Sequence, residues 1–226
     1  ETFWSAVRNS ECGIDSISSF DASDYPSQIA GEVRGLDPSQ YLDRREASRL
    51  DRFAVFAMVT AMEALGDARL TNDEPDAERT GVILGVGFGG IHTLHTEFRN
   101  LFDRGPKGIH PLLVPKMISN IAAAHVAIRI QAQGPSYTVV SACASANDAI
   151  GESFRWIRDS AVDVMVTGGA EAAVAPLAPL RRGKLAEEED GVGEDVGGAS
   201  GAPRPPPVSS SSSDFGSPTR MALGQQ

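Results

Sequence analysis

The chain has 226 residues and a formal net charge of −10, with 41% hydrophobic and 22% charged residues. This composition is ordinary for a folded protein, and the length fits one large domain or two small ones. The acidic balance argues against a nucleic-acid-binding protein, and no apolar run long enough for a transmembrane helix is present. Two cysteines exclude a disulfide scaffold and favour a reducing compartment. We expect the cytoplasm, or a plastid or mitochondrion if a leader is missing from the sequence.

The spacing of apolar residues predicts alternating strands and helices over residues 1–180. Strands flanked by helices are typical of an α/β fold with a largely parallel sheet. Predicted helices, in chain order, are 2–8, a helix that begins at Asp37-Pro38, 50–65, 91–102, 115–133 and 145–158. Predicted strands, in chain order, are 28–33, 81–86, 136–142 and 162–167.

The composition changes near residue 180, after which acidic, glycine-rich, proline and serine runs follow one another. A segment of this kind cannot bury enough apolar surface to offset the entropy lost on ordering. We therefore divide the chain into a folded domain over 1–178 and a low-complexity tail over 179–226, which we expect to be disordered. The tail could have a function of its own, or it could be a linker without one.

Cys143 is the strongest candidate for a chemical role. It follows an apolar strand, lies among small residues and precedes an amphipathic helix, so we expect its thiol at a strand-to-helix elbow. Unpaired backbone N–H groups and partial positive charge at a helix N-terminus favour a thiolate nucleophile. The alternative is a buried structural cysteine, because free cysteine often lies in protein cores. Cys12 lies in a polar segment and is expected to be inert.

Two other patterns suggest binding sites. His92 and His95 lie three positions apart next to Glu97, but a metal site needs three or four converging ligands. The glycines of residues 85–90 satisfy the dinucleotide-binding pattern G-x-G-x-x-G. That pattern also requires a second strand that ends in an acidic residue about twenty positions later. The chain has a helix end and a turn at 103–106 instead, so the alternative is a tight turn packed against another element.

Seven ordered segments together resemble the type II beta-ketoacyl-acyl carrier protein synthases, at spacings similar to those of the family. They are 21–26, 41–46, 85–90, 111–115, 134–135, 142–145 together with 149–151, and 168–171. The resemblance covers residues 1–177 and implies the N-terminal half of a thiolase-like layered α/β fold that assembles as a homodimer. It also implies that Cys143 matches the family's acyl-accepting nucleophile.

The reaction implied by the resemblance is a decarboxylating Claisen condensation in fatty-acid elongation. An acyl group passes from acyl carrier protein to Cys143, and the carbanion formed from malonyl-carrier protein attacks the acyl-cysteine. The resemblance implies no metal or dissociable organic cofactor beyond the phosphopantetheine arm of the carrier protein. The alternatives are a polyketide ketosynthase, a non-catalytic dimer partner and an inert truncation.

The chain departs from the family after residue 177. Family members continue into a second half with two catalytic histidines, an active-site lysine and a gating phenylalanine, whereas His125 is the last histidine here. The histidines stabilise the enolate oxygen, so condensation by this chain alone is expected to fail. We expect a fragment, with a truncation or a reading-frame change near residue 178. We also expect that the family's leading strand is missing before Glu1.

The resemblance also implies residues of an acyl pocket. Phe88 matches the position at the pocket floor, which in the family is reached across the dimer interface, while Leu113, Val114 and Ala142 match positions in the pocket wall. A bulky phenylalanine should shorten the cavity and favour short acyl chains, because close-packed sites have no spare volume. The alternative for all four residues is ordinary core packing.

An acidic carrier protein implies a basic docking surface. Arg45, Arg49 and Arg52 fall at positions i, i+4 and i+7 of one predicted helix face, and Arg44 lies beside them. These four arginines are the candidate docking surface. The alternative is a solvated face whose charge is neutralised by neighbouring acidic residues.

Overall fold

The computed structural model describes residues 2–70, 76–177 and 222–223, which form seven α-helices and six β-strands. The helices are α1 Thr2–Arg8, α2 Arg44–Ser48, α3 Arg52–Asp67, α4 Ile91–Arg104, α5 Leu113–Met117, α6 Ile121–Arg129 and α7 Ser145–Arg158. The strands are β1 Ile14–Ser16, β2 Ile29–Gly31, β3 Thr80–Gly85, β4 Ser136–Val139, β5 Val164–Gly169 and β6 Ala222–Leu223.

The main sheet is entirely parallel, as the alternation of strands and helices predicts. Its strand order is β4-β3-β5-β6, and Gly85 at the end of β3 pairs with Val139 on one side and Gly169 on the other. The carboxyl ends of β3, β4 and β5 therefore finish at the same edge. A separate two-stranded antiparallel sheet, β1 with β2, lies earlier in the chain.

Helices cover both faces of this sheet, which gives three layers. All six residues of β3 are buried, and successive side chains of a strand point to opposite faces. Val82 and Leu84 pack in a cluster with residues of α3 and α6, whereas Ile83 packs with Ala149 of α7. This alternation explains why β3 is a continuous apolar run rather than an amphipathic one.

The predicted helix over 115–133 is wrong as a single element, because it is divided into α5 and α6. The backbone is extended at Ile118, where ψ is 137°. The Met117 carbonyl accepts a hydrogen bond from the backbone N–H of Gly90 at 3.0 Å, instead of continuing the helix ladder. A tertiary contact thus interrupts an apolar, alanine-rich stretch that reads as one helix.

The helix predicted to begin at Asp37-Pro38 is also wrong in extent. Asp37 does cap the turn, with its carboxylate accepting a hydrogen bond from the Ser39 N–H, but only the 3₁₀ turn Pro38–Gln40 forms. The sequence does not indicate β1, because the three residues of this strand are all exposed and carry no apolar alternation.

The tail predicted over 179–226 lies outside the described residues, apart from β6. Ala222 and Leu223 pair with Val166 and Thr167 of β5, where the sequence indicates no ordered element. None of the helices among the described residues combines the length and the hydropathy that a membrane span requires.

Candidate functional site

Three loops meet at the carboxyl edge of the parallel sheet: 86–90 after β3, 140–144 after β4 and 170–177 after β5. Their common position follows from the strand register, because all three strands end together. In open α/β sheets, ligands bind in the crevice outside the carboxyl ends of the strands. This edge is therefore the candidate functional site.

Cys143 lies in the loop after β4, at the strand-to-helix elbow that the sequence predicts. It is part of the 3₁₀ turn Ala142–Ala144, which leads directly into α7. Cys143 is exposed, which contradicts the alternative of a buried structural cysteine. Cys12 is exposed as well, and its thiol lies 3.6 Å from the carbonyl oxygen of Ile14.

The elbow has a backbone conformation that is unusual for its residue. Ala142 has φ of +52°, a region that non-glycine residues rarely adopt. Such a conformation costs on the order of 1–3 kcal/mol and persists where the surrounding structure imposes it. The residue before the candidate nucleophile is therefore held in a strained turn.

Side chains from the first turn of α7 hold this elbow. The Ser145 hydroxyl donates to the carbonyl oxygen of Ala142 at 2.7 Å and accepts from the backbone N–H of Ser141 at 2.9 Å. The hydroxyl of Ser141 donates to the carboxylate of Asp148. The sequence marks Ser145 only as a small neighbour of Cys143, and no sequence signal indicates these contacts.

Glycines allow the start of α7 to lie directly against the strand ends. A Cβ atom at Gly85 would lie 2.2 Å from the backbone carbon of Ser145, and one at Gly169 would lie 2.6 Å from the Cβ of Ala146. Real Cβ atoms do not approach this closely. The two glycines therefore place the N-terminus of α7, and Cys143 with it, at the sheet edge.

The glycine-rich loop does not support a dinucleotide site. One oxygen of the Glu171 carboxylate accepts the backbone N–H groups of Gly87 and Phe88, each at 2.8 Å. These are the donors that a phosphate would need, and the chain's own carboxylate occupies them. Gly89, with φ of +99°, and Gly90 pack against the Met117 backbone, as the alternative of a tight packed turn predicts.

The histidine pair does not support a metal site. The carboxylate of Glu97 accepts hydrogen bonds from the backbone N–H of His110 at 2.8 Å and from Asn100 at 3.3 Å. The hydrogen bond from His110 is the largest cause that lowers the pKa of Glu97 below its ordinary value. Among the described residues, no group of three or more potential ligands could hold a metal ion.

The four residues predicted to form an acyl pocket lie at or near the surface of this chain. Phe88 is 52% exposed, Val114 is 59% exposed, Ala142 is exposed and Leu113 is half-buried. This exposure contradicts the alternative of core packing for Phe88, Val114 and Ala142. Three cavities in the described part of the chain are lined by other residues, so the acyl pocket stays a prediction.

The prediction of one helix face for the arginines is wrong. Arg44 and Arg45 belong to α2, Arg49 is the residue that caps its end, and Arg52 is the first residue of α3. The segment contains the starts of two helices, α2 and α3, where the spacing of the arginines suggests one helix. Asp43 begins α2 in a capping box with Glu46, and Asp51 begins α3 by accepting from the N–H of Phe53.

Arg52 differs from the other three arginines in its surroundings. Its guanidinium donates to the carbonyl oxygen of Val33 at 2.5 Å and lies 5.1 Å from the centre of the Phe56 ring. These contacts direct it toward the chain's own residues. Arg45 and Arg49 keep their spacing of four positions across α2 and its cap, so they remain the centre of the predicted basic surface.

A cleft of about 680 Å³ that the sequence does not indicate lies beside the candidate site. The lining includes Phe20, Glu32, Arg34, Arg52, His92 and Glu171. Glu171 thus connects the cleft to the glycine-rich loop. Hydrogen bonds from Ser19 and Ser18 lower the pKa of Glu32 to about 2, so this carboxyl group is ionised at neutral pH.

Comparisons with known proteins point to one family. The sequence profile described as "Beta-ketoacyl synthase, N-terminal domain" matches residues 1–185. The chain is 40% identical over 177 residues to 3-oxoacyl-[acyl-carrier-protein] synthase 2 from Synechocystis sp., covering 78% of this chain and 42% of that protein. The chain therefore spans about two fifths of the length of this curated relative.

Solved structures of ketosynthases have similar folds. One is a type II polyketide acyl-carrier protein in complex with its ketosynthase bound to the hexaketide, with a TM-score of 0.62 at 25% identity, covering 65% of this chain and 42% of that one. The ishigamide ketosynthase/chain length factor has a TM-score of 0.69 at 24% identity, covering 74% and 42%. These likenesses confirm the expected fold class, the N-terminal half of a thiolase-like α/β fold.

Proposed function

The chain belongs to the beta-ketoacyl synthase family, and on this basis we propose that it carries the acyl-accepting site of a 3-oxoacyl-[acyl-carrier-protein] synthase, with Cys143 as the nucleophile. The observation that carries the proposal is the exposed thiol in the turn that begins α7, at the carboxyl edge of the sheet. A helix N-terminus offers partial positive charge to a thiolate. The strained turn at Ala142 holds the thiol in place.

In the proposed first step, the Cys143 thiolate attacks the thioester carbonyl of acyl-carrier protein. A carbon–sulfur bond forms to Cys143, the bond to the phosphopantetheine sulfur breaks, and that sulfur leaves as a thiolate that takes a proton. In the second step malonyl-carrier protein loses carbon dioxide, and its carbanion attacks the acyl-cysteine carbonyl. The Cys143 thiolate leaves, and the product is a 3-oxoacyl-carrier protein that is two carbons longer.

We propose that this chain alone performs the first step and not the second. Decarboxylation requires groups that stabilise the developing enolate oxygen, and such groups supply a large share of the rate. The resemblance assigns this work to two histidines that follow the Gly-Gly-Ala-Glu segment, and His125 is the last histidine here. The reaction needs no resident metal or organic cofactor, because the substrates are carried on phosphopantetheine.

The proposed partner is an acidic carrier protein, which docks on Arg44, Arg45 and Arg49. The three side chains belong to exposed residues on α2 or at its end, and none of them takes part in an ion pair within the described residues. Arg52 contributes less to this surface, because the Val33 carbonyl and the Phe56 ring already contact it. One similar solved structure is a ketosynthase in complex with its acyl-carrier protein, which supports this choice of partner.

The proposed assembly is a homodimer formed through β4. This strand lies at the edge of the sheet, and its neighbour Val140 is 59% exposed. The carbonyl groups of Pro135 and Val139 bond to β3, so the alternate residues Ser136 and Thr138 direct their backbone groups to the open side. An open strand edge is a template for pairing with another chain. Two copies could extend one sheet across such a pair.

Fatty-acid elongation is the favoured pathway, because the 40% identity is to a 3-oxoacyl-[acyl-carrier-protein] synthase 2. A polyketide ketosynthase is the second candidate, favoured by the structural likeness to a type II polyketide enzyme. A non-catalytic partner would not need an exposed thiol at the elbow. In a complete site we expect Phe88 to favour short acyl groups, with Leu113, Val114 and Ala142 in the pocket wall. The cytoplasmic location stays a prediction from the cysteine count.

A transfer assay tests the proposal. The full chain is incubated with octanoyl-carrier protein, and its intact mass is measured over time. We expect one octanoyl group on the wild type and on Cys12→Ser, and none on Cys143→Ser. Addition of malonyl-carrier protein should yield no 3-oxoacyl product. A wild type that gains no acyl group from any carrier-bound donor would overturn the proposal in favour of an inert chain.

A further inference from the structure

The backbone of Phe88 is held from both sides by side chains that the proposed reaction does not use. Its N–H donates to a Glu171 carboxylate oxygen at 2.8 Å, and its carbonyl oxygen accepts from the Ser119 hydroxyl at 3.1 Å. Glu171 follows β5, and Ser119 lies between α5 and α6. Two residues that are far from Phe88 in the chain therefore hold the peptide groups on either side of it.

The glycines on either side of Phe88 make these contacts possible. A Cβ atom at Gly87 would lie 2.8 Å from the same Glu171 oxygen. Gly89 has φ of +99°, and a Cβ atom there would lie 2.8 Å from the Met117 carbonyl oxygen and 3.1 Å from the Ser119 hydroxyl. The loop can approach Glu171 and Ser119 only because both positions lack a side chain.

The Glu171 contact is the stronger of the two. Hydrogen bonds to an ionised carboxylate are about twice as strong as those between neutral groups. One oxygen of Glu171 accepts two such bonds, from Gly87 and Phe88. The Phe88 side chain is 52% exposed, so packing within this chain does little to hold it. The backbone fixes the direction of its Cα–Cβ bond, and Glu171 and Ser119 both hold that backbone.

This loop lies beside the nucleophile elbow. A Cβ atom at Gly87 would be 3.8 Å from the carbonyl oxygen of Ala142, the residue before Cys143. A shift of the loop would therefore change where the Phe88 ring lies relative to the thiol. Such a shift changes the space available to an acyl chain that is attached to Cys143.

We propose that Glu171 is a positioning residue that limits the length of the acyl group accepted by Cys143, because it fixes the backbone of Phe88. Ser119 assists from the opposite side of the same residue. The inference rests on the proposed function, in which Phe88 forms the end of the acyl site. Release of the loop lets the Phe88 ring move away, and longer acyl groups are then accepted.

The test compares variants of the full chain as acceptors of hexanoyl, decanoyl and palmitoyl groups from carrier protein. Glu171→Ala removes the acceptor of the Gly87 and Phe88 N–H groups, and Glu171→Gln keeps a neutral carbonyl oxygen on a side chain of the same length. Ser119→Ala removes the hydroxyl group that donates to the carbonyl oxygen of Phe88. Glu11→Ala, which removes an exposed carboxylate in the segment after α1, is the matched control. The readout is the ratio of palmitoyl to hexanoyl transfer rates, which a general loss of folded protein does not change.

We expect Glu171→Ala to raise this ratio by roughly tenfold, a size typical of discrimination between apolar groups in a pocket. Ser119→Ala should raise it less, and Glu171→Gln should give a ratio between those of the wild type and Glu171→Ala, because a neutral amide oxygen accepts more weakly than a carboxylate. Glu11→Ala should leave the ratio unchanged. Equal losses of both rates in Glu171→Ala and Ser119→Ala, with the ratio unchanged, would overturn the inference and leave the proposed function intact. A wild type that accepts no acyl group overturns the proposed function and the inference together.

Amide hydrogen exchange tests the clamp separately from acyl transfer. The Gly87 and Phe88 amides should exchange at least about tenfold faster in Glu171→Ala than in the wild type, because both lose their acceptor. Amides in the middle of α7 should exchange at unchanged rates, which shows that the variant is folded. Unchanged exchange at Gly87 and Phe88 would contradict the clamp even if the acyl ratio had shifted.

Discussion

The hydroxyl of Tyr25 donates a hydrogen bond to the backbone carbonyl of Pro176 at 2.7 Å. This contact joins the segment that precedes β2 to the loop that follows β5, and the two residues are 151 positions apart. The loop after β5 also carries Glu171, so the contact supports one wall of the candidate site.

Tyr25→Phe should therefore lower the free energy of unfolding by about 1 kcal/mol, the usual net worth of one hydrogen bond. Urea unfolding followed by circular dichroism measures the difference. Tyr41→Phe is the control, because its hydroxyl lies 3.3 Å from the Glu63 carboxylate at an exposed position and should contribute less. Equal losses in both variants would mean that the Tyr25 contact has no special role.

Gly85→Ala should destabilise the fold strongly, by about 3 kcal/mol or more, because overpacking at a rigid contact forces the backbone to move. The new Cβ would meet the backbone of Ser145 at 2.2 Å. Gly66→Ala is the matched control, since no atom lies within 4 Å of a Cβ there and the position is inside α3. That variant should gain about 0.5–1 kcal/mol from helix propensity. A tolerated Gly85→Ala would contradict the close approach of α7 to β3.

Acid should destabilise the fold through carboxyl groups whose pKa is lowered by folding, and Glu32 and Glu97 are two of them. The pKa of Glu32 is lowered to about 2, and the pKa of Glu97 is lowered by its hydrogen bonds. A carboxyl group whose pKa is depressed by folding stabilises the native state above the unfolded pKa of about 4.3, and this stability is lost as the pH falls through the folded value. Unfolding should therefore become easier between about pH 5 and pH 2.

Glu32→Gln separates this effect from general acid denaturation. The variant cannot titrate at this position, so its stability should change less than that of the wild type over the same pH range. Urea midpoints at several pH values measure the two slopes. Parallel pH profiles for wild type and variant would show that Glu32 has the same pKa in the folded and unfolded chain.

Charge reversal should weaken carrier binding at the basic surface of α2. The double variant Arg45→Glu/Arg49→Glu should raise the Kd for carrier protein about tenfold or more at low salt, and added salt should reduce the difference. The double variant Arg8→Glu/Arg104→Glu, at the ends of α1 and α4, is the control for net charge. An equal effect of both variants would indicate general electrostatic attraction and not docking at α2.

Thr138→Pro should abolish the dimer that we propose to form through β4 and leave the monomer folded. Proline removes one backbone N–H, and edge strands tolerate it where that group faces away from the sheet. Sedimentation measures the assembly, and circular dichroism measures the fold. Thr138→Val, which keeps the N–H, should remain dimeric. A variant with proline that still dimerises would exclude β4 as the contact.

Elements with a strong local pattern could be predicted from the sequence. The helix over 145–158 has the predicted bounds, because its apolar spacing and the preceding small residues mark both its face and its start. The elbow at Cys143 follows from the same pattern. The predicted strand over 162–167 lies two residues before the observed β5, Val164–Gly169. The two glycines at the end of β5 continue the strand pairing, although they carry no apolar signal.

Contacts between distant residues could not be predicted. The pairing of Glu171 with the Gly87 N–H joins positions 84 apart, and a Gly-Gly-Ala-Glu segment does not indicate its target. The predicted helix over 115–133 is divided for the same reason, because the backbone N–H of Gly90 donates a hydrogen bond to the carbonyl oxygen of Met117. The prediction that the arginines share one helix face is wrong because Asp51 caps the start of a second helix, α3, whereas the spacing alone suggests one continuous helix.

The most direct test of the central claim is to locate the acyl group after transfer from carrier protein. Trypsin should release Cys143 in the peptide 130–155 and Cys12 in the peptide 9–34, so mass spectrometry distinguishes the two thiols. We predict the added acyl mass on 130–155, with release by neutral hydroxylamine, as expected for a thioester. Acyl groups on 9–34, or on both peptides in equal amounts, would contradict the assignment of Cys143 as the nucleophile.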